Sequence, residues 1–388
     1  MKIDRIDVYT IALPFDRPER WSRGARLGCA NVLIKLTTDD GLVGWGETSG
    51  GSGGSVAAVR AAVDSGRPVV QGMDPFQVEQ LRSRLFTAGR WRNLHRLANL
   101  VLAGYEIACY DLMGKACQRP ASDLLGGRVR DSVSVFGYVL TAEQPAMVSA
   151  AADLAERGFS TLYLKGGWDT EQDASVLAAI RAAVPPTTRI RIDANEALSP
   201  AAAISWIRRL SEFDLEFVEQ PTPALDLEGM RRTRDASPVP IAANQGLWSA
   251  AEVVQVIRAG AADILVTGPL WVGGLLSLKK VAAIAEAAGL PFCRHAPPET
   301  GIATAAGLQV LATLPQLMDG NQIYLGQVLL EDVVCAGLDP VERDRLAVPA
   351  GPGLGVEVDE EAVRRLAALY DTHGDFAQVD ERVLAGRP

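Results

Sequence analysis

The sequence predicts an α/β fold: a TIM-type (β/α) barrel behind an α+β N-terminal domain. Three observations carry that expectation. From about residue 130 to about 330, short β-branched runs alternate with alanine-rich helical stretches, the rhythm of a parallel sheet. Six of those runs end on Lys165, Asp193, Glu219, Asn244, Gly268 and His295, at separations of 28, 26, 25, 24 and 27 residues. Each separation is about one strand–loop–helix–loop unit, and so regular a series favours a closed barrel over an open sheet. Before it, the chain reads first as alternating strands and then as helices, so the two regions belong to different units.

Along the first region, "KIDRIDVYTIAL" and "CANVLIKLTTDDGLVGWGET" alternate like strands, and "TTDDG" supplies a hairpin turn. The glycine-rich "SGGSGGS" at 49–55 has two readings, a phosphate-binding loop or a plain loop before a helix. It lacks the GK[ST] ending of the phosphate motif, which favours the plain loop. From Ser55 to Gly126 the pattern is helical, and "LANLVLAGYEIACYDLMGKACQ" is apolar around most of its circumference, as a buried helix joining two domains would be. The barrel strands are expected in "SVSVFGYV", "STLYLK", "TRIRIDA", "LEFVEQ", "VPIAAN", "ADILVT" and "LPFCRH", with a weaker eighth element near "PQLMDG". After about residue 350 a strand and a helix return, expected to pack on the first domain. The division is therefore 1–127, 128–352 and 353–388.

Bulk properties exclude several classes of function. The 388 residues carry a net charge of −9, which argues against nucleic acid as a partner because phosphate binding needs a basic face. The N-terminus lacks the layout of a signal peptide and no run of 18 apolar residues appears, so neither export nor a membrane span is expected. Five scattered cysteines (Cys29, Cys109, Cys117, Cys293 and Cys335) show no CxxC spacing and read as buried free thiols of a cytoplasmic protein.

In a barrel the strand carboxyl ends converge on one mouth. Alternation places Leu162 and Leu164 toward the helices, so Tyr163 and Lys165 point inward. The same logic places Arg191 and Asp193 inside and groups Leu215, Phe217 and Glu219 on one face. Asp193, Glu219 and Asn244 then meet on adjacent strands as hard oxygen donors, a set that suits Mg²⁺ and, without histidine or cysteine, not zinc. The alternative is a buried charge network with Arg191 and Lys165. Lys165 is one of only six lysines in an arginine-rich chain. An amine beside a metal can serve as a base where a guanidinium cannot; a structural ion pair is the plainer reading. His295 ends the seventh strand, across the barrel from Lys165, as a second acid or base or as a core histidine. His95 and His373 have no comparable setting. The chemistry these groups suit is proton abstraction α to a carboxylate, with a divalent metal neutralising the enediolate. Return of the proton on the other face is racemisation; loss of a β-hydroxyl is dehydration.

These residues resemble the enolase superfamily over nearly the whole chain. "YLKGG", "RIDAN", "EFVEQP", "PIAANQG" and "CRHAPPETGIATAAGLQVLATLP" stand in the family's order and spacing, and "NVLIKLTTDDGLVGWGETSGG" and "YEIACYDLMGKACQRPASDLLGG" resemble its N-terminal domain. The resemblance implies a (β/α)7β TIM-type barrel with an N-terminal α+β capping domain. It also implies Lys165 as base, His295 as opposing acid or base, and Asp193, Glu219 and Asn244 as Mg²⁺ ligands. Asn195 would help hold the substrate, and "RPERWSRGARLG" would form a capping loop with Arg23 and Arg26 set for a distal carboxylate. Asn244 as third ligand is similar to the glucarate dehydratase-like branch. That similarity makes a Mg²⁺-dependent hydro-lyase acting on a hydroxy acid or acid sugar the leading expectation, with a racemase, epimerase or cycloisomerase as the alternative and a non-catalytic ligand-binding barrel as a third. A small carboxylate substrate and a homo-oligomer are implied as well. Two positions depart from the family: Tyr163 stands where a first lysine is usual, and Gly268 where an aspartate usually orients the histidine. Both departures favour a one-sided lysine mechanism over a symmetric two-base racemase.

Overall fold

The computed structural model describes residues 1–50, 55–88, 94–329 and 331–376. Most of the glycine-rich stretch, at 51–54, lies outside them, so neither reading of that loop can be placed. Strands β1 (Ile3–Trp21), β2 (Gly24–Thr38) and β3 (Val43–Ser49) form an antiparallel sheet. The expected "TTDDG" turn joins β2 to β3, with Gly41 at φ 85°. The β1–β2 pairing continues, past an irregularity between Pro14 and Glu19, to Trp21 and Gly24. The segment expected as a capping loop is therefore a hairpin arm, whose alternating side chains can be aimed where a loose loop could not hold them.

Three helices follow: α1 (Val56–Val70), capped by Ser55; α2 (Val78–Ala88); and α3 (His95–Cys117). Every residue of α3 from Ala98 to Met113 is buried, as its apolar circumference predicts. β3 packs directly on it. A Cβ at Gly46 would stand 2.0 Å from the Gly104 carbonyl oxygen, so this close approach of sheet and helix needs a glycine on the strand. A short helix, α4 (Ala121–Leu124), ends the unit.

After the short β4 (Ser132–Ser134), parallel strands β5 (Gly137–Val139), β6 (Thr161–Lys165), β7 (Arg189–Asp193), β8 (Leu215–Glu219), β9 (Ile241–Ala243), β10 (Ile264–Thr267) and β11 (Phe292–Arg294) pair strictly in sequence order. Helices α5 (Gln144–Glu156), α6 (Thr170–Ala183), α7 (Pro200–Leu210), α8 (Leu227–Ala236), α9 (Ala250–Ala259), α10 (Pro269–Val272), α11 (Leu275–Ala287) and α12 (Gly301–Leu311) connect or follow them. The weak eighth element makes bridges rather than a strand: Leu317 bridges Phe292, and Asn321 bridges Val135 just ahead of β5. Those two contacts join the last barrel strand to the first, and the predicted α/β TIM-type barrel is the fold observed.

One register detail differs from simple alternation. Between Ile190 and Arg191 the β7–β8 pairing slips, so Ile190 faces Leu215 while Arg191 faces Phe217. Leu215 accordingly packs with the main core, while Phe217 joins Ala242, Ile264, Val266 and Cys293 in a separate small cluster. The cysteine expectation is also corrected: all five thiols are free, but Cys117 and Cys335 are exposed rather than buried. The last part of the chain adds β12 (Val334–Ala336), β13 (Arg345–Ala347), β14 (Glu357–Val358) and α13 (Glu360–His373). Helix α13 lies on β1, and Lys35 of β2 reaches its Glu360 at 2.5 Å. Among the described residues no helix is long and apolar enough to cross a membrane.

Candidate active site

β6, β7 and β8 end in register, Lys165 opposite Asp193 and Asp193 opposite Glu219, which sets three ionisable side chains side by side at the mouth. Lys165 Nζ donates to Asp193 Oδ2 at 2.6 Å, and the Tyr163 hydroxyl donates to the same oxygen at 2.6 Å. Lys165 Nζ is also 3.2 Å from the Tyr163 hydroxyl oxygen. Tyr163 thus takes the place of a second cation with a neutral donor that still satisfies Asp193. Burial and the Asp193 charge push the Tyr163 phenol well above its usual range, so it stays protonated. The turn after Lys165 is pinned from behind: Asp173 Oδ2 accepts from Gly167 N and from Trp206 Nε1, both at 2.8 Å.

Asp193 Oδ1 accepts from the backbone N–H of Asn195 at 2.7 Å. Asn195, at φ 47°, keeps its own Oδ1 buried and without a hydrogen-bond partner. Burial, reinforced by Asp193, raises the Glu219 carboxyl to about 8, the mark of a site short of positive charge. Asn244 follows β9. Its Nδ2 donates to the Val266 carbonyl at 2.8 Å, and its fully buried Oδ1 has no partner. Two adjoining carboxylates, one lifted by its neighbour, and an orphaned amide oxygen suit a hard divalent cation such as Mg²⁺. Among the described residues no group of three or more His, Cys, Asp or Glu side chains is arranged for a metal.

His295 lies beyond β11, its ring 4.0 Å from Trp271 centroid to centroid, with no hydrogen bond at either nitrogen. Burial, with Lys165 and Arg294 adding to it, drives its pKa well below 6.5, so the imidazole is neutral. Gly268 holds no vacancy for the aspartate of the family pattern. A Cβ there would lie 2.0 Å from the His295 carbonyl oxygen, because β10 and the chain after β11 run in contact at this point.

Both capping arginines are engaged inside the chain. Arg23, exposed at the hairpin tip, pairs with Glu196 at 3.1 Å. Arg26, half-buried, lies against Glu19, with its Nε 2.6 Å from Oε2. Tyr138 and Tyr324 donate to the other Glu19 oxygen at 2.7 and 2.9 Å. Burial alone would raise the Glu19 carboxyl, but Arg26 and then Lys165 outweigh it and hold it below its ordinary value. Glu19, Tyr138, Tyr324 and Trp271 are the residues sequence reasoning missed. Only Glu19 left a trace, as a carboxylate in the alternating "PERW" of the basic capping segment.

A hairpin arm closed over a cluster of two carboxylates, an amide oxygen and an amine at the strand ends of a barrel defines a capped-barrel enzyme. The chain belongs to the enolase superfamily: residues 146–362 match the enolase C-terminal domain-like family, and residues 5–126 the N-terminal domain of the mandelate racemase / muconate lactonizing enzyme family. D-galactarolactone cycloisomerase of Agrobacterium fabrum is 32% identical over 353 residues, covering 86% of this chain and 90% of that protein. N-succinyl-L-Arg/Lys racemase of Bacillus cereus is 26% identical, covering 96% and 99%. A solved enolase from Thermobispora bispora, complexed with magnesium and formate, matches at a TM-score of 0.89 and 27% identity, covering 100% of this chain and 98% of that one. Both of these curated relatives are isomerases by name, as are the chloromuconate and muconate cycloisomerases that also match. These similarities support the wider superfamily rather than the glucarate dehydratase-like branch in particular, and the isomerase alternative better than the dehydratase expectation.

Proposed function

We propose that this chain is an isomerase that moves a proton at the carbon α to a carboxylate, and that its reaction is the cycloisomerisation of a lactone and its unsaturated open acid. The observation that carries this reading is the one-sidedness of the site. Lys165 is held by Asp193 and Tyr163 at the mouth, whereas His295 is neutral and Gly268 leaves no room for a carboxylate to orient it. Cycloisomerisation needs one proton at one face. In the lactonising direction a carboxylate oxygen adds to the β-carbon of the unsaturated acid while Lys165 Nζ delivers a proton to the α-carbon. In the reverse direction that C–O bond breaks as Lys165 Nζ takes the proton back. The similarity to a D-galactarolactone cycloisomerase supports the same reaction class.

Asp193, Glu219 and Asn244 would hold Mg²⁺, which, when bound, lowers the energy of the charge that develops on the substrate carboxylate. The other contributions come from the chain. Asp193 and Tyr163 fix the position of the Lys165 amine, and the hairpin arm with its Glu19–Arg26 pair shuts water out of the mouth. A second reading, a two-base epimerase, is favoured by one feature, the buried ring nitrogens of His295, which have no hydrogen-bond partner.

Lys165→Ala in D₂O tests the mechanism by NMR. The wild type should place one deuteron stereospecifically at the α-carbon of the product, and the variant should lose that exchange by about a thousandfold or more. Exchange retained in the variant would remove Lys165 from the mechanism. Deuterium in both configurations would replace the cycloisomerase by the epimerase, and a product lighter than the substrate by one water would restore the dehydratase.

A further inference from the structure

We infer that Trp271 orients His295 by ring contact, in place of the carboxylate that position 268 cannot carry, and that Asn99 of the cap holds Trp271 for that task. Both are positioning residues. The inference deepens the isomerase reading and rests on it only for the place of His295 in the site.

An imidazole at a strand end needs something to fix the plane of its ring. A carboxylate does so through a hydrogen bond to one nitrogen, and the same bond makes the ring a stronger base. Neither effect is present here. Both His295 nitrogens are buried without a hydrogen-bond partner, and a Cβ at Gly268 would already strike the His295 carbonyl. What the ring does have is an aromatic face. Trp271 of α10, 2% exposed, lies 4.0 Å from it between centroids, at a tilt of 40°. Trp248 covers Trp271 at 4.7 Å and within 9° of parallel, and the Arg96 guanidinium sits 5.3 Å over Trp248. Arg96, Trp248, Trp271 and His295 therefore form one continuous stack, the kind of contact that restrains ring planes.

The stack is gripped from the cap. Asn99, 2% exposed on α3, donates its amide to two carbonyl oxygens, that of Trp248 at 2.6 Å and that of Trp271 at 3.1 Å. An amide nitrogen has two hydrogens, and both are spent here on the chain after two different barrel strands, β9 and β10. The fit is close: Gly273, at φ 87°, ends α10, and a Cβ there would stand 3.0 Å from Asn99 Oδ1. From the barrel side, Thr267 Oγ1 ties the same two segments by donating to the Leu247 carbonyl at 2.8 Å. Helix α3 thus supplies Arg96 to the outer ring of the stack and Asn99 to its main chain. A ring contact fixes a plane but brings no charge, so His295 is placed without being made more basic. It keeps one N–H and one lone pair to offer as hydrogen bonds, which is the neutral second face that a one-sided lysine mechanism uses.

Proton–carbon NMR of the protein labelled with ring-¹³C histidine tests this directly. The chain has three histidines, so three sets of carbon-bound ring protons are expected, and His295→Gln identifies one of them. A proton over an aromatic face is shielded by the ring current, so the His295 set should lie upfield of the other two in the wild type. Trp271→Phe, with a weaker ring, should reduce that displacement without abolishing it, and Trp271→Leu should abolish it. Asn99→Leu keeps Trp271 but releases its carbonyl, and should carry the His295 signals most of the way to their Trp271→Leu positions. Adding Asn99→Leu to Trp271→Leu should move them no further, because the first residue acts through the second. His295 signals that are not upfield in the wild type, or that neither Trp271 variant moves, would overturn the inference. An Asn99→Leu variant that melts lower yet leaves those signals in place would make Asn99 a packing residue and overturn its part. Should the leucine variants fail to fold, the wild-type and Trp271→Phe spectra decide. None of these signals depends on turnover, so a chain that exchanges no proton with any lactone would lose the isomerase reading and keep this one.

Discussion

Replacing Glu106 with glutamine should make the protein more stable at pH 8 but not at acid pH. Glu106 sits in the buried helix α3, 1% exposed, and its Oε1 accepts from the backbone N–H of Leu276 at the start of α11 at 2.8 Å. Burial dominates its titration and raises the carboxyl from 4.5 to about 7. Between those two values the folded chain holds a proton that the unfolded chain has released, so stability falls as pH rises. Above pH 7 the full cost is present, about 3 kcal/mol at about 1.4 kcal/mol per pKa unit, and about 2.5 kcal/mol of it develops between pH 5 and pH 8. Glutamine keeps the acceptor for Leu276 and does not titrate. For a chain of 388 residues the unfolding entropy is about 0.8 kcal/mol/K, so the Tm difference between variant and wild type should move by about 3 °C in the variant's favour from pH 5 to pH 8. Differential scanning calorimetry at the two pH values measures it, and using the change in the difference cancels any fixed cost of the amide. A gap that does not change with pH, or that moves the other way, would mean that Glu106 is ionised in the fold at an ordinary pKa and that burial is not the governing effect.

Asn244→Ala removes an oxygen that the protein itself does not use, together with one hydrogen bond to Val266, so Mg²⁺ affinity should fall by about tenfold or more while stability falls by only about 1 kcal/mol. Calorimetric titration with Mg²⁺ checks this, and unchanged affinity would take Asn244 out of the ligand set. Gly268→Asp, which would write the family's orienting aspartate into this chain, should instead cost about 3 kcal/mol or more, because its Cβ would meet the His295 carbonyl at 2.0 Å. A variant melting within a degree of the wild type would show that β10 and the chain after β11 can part at low cost.

What was legible in the sequence followed from periodicity. The spacing of strand ends gave the barrel, and strand alternation gave the inward faces of Lys165 and Asp193, because both depend only on backbone geometry. Two things were not legible. The slip between Ile190 and Arg191 changed the side on which Leu215 packs, and a register shift leaves no trace in a hydrophobic pattern this short. Gly268 read as a lost aspartate, yet the structure shows a backbone contact that admits no side chain at all; nothing in "ILVTGP" reports how near the neighbouring strand runs. Likewise the motifs marked Arg23 and Arg26 as cations without showing their counter-ions, since Glu19 meets Arg26 only once the hairpin is paired and Glu196 reaches Arg23 from a barrel loop 173 residues away.

The charges of the mouth can be counted as one set. Asp193, Glu219 and Glu19 bring three carboxylates; Lys165 and Arg26 bring two cations, and the Arg23–Glu196 pair adds nothing net. The chain alone is thus short by one positive charge, which is why burial beside Asp193 can lift Glu219 to about 8. A divalent cation on Asp193, Glu219 and Asn244 would turn that deficit into an excess of one, and one ligand carboxylate would cancel it. Tyr163 fits the same count. A lysine in its place would add a charge, whereas the tyrosine hydroxyl bonds Asp193 at 2.6 Å and leaves the sum unchanged. Tyr163→Lys should therefore weaken Mg²⁺ binding by adding a like charge beside the site, as calorimetric titration with Mg²⁺ would read, and unchanged affinity would show that this count does not govern the site.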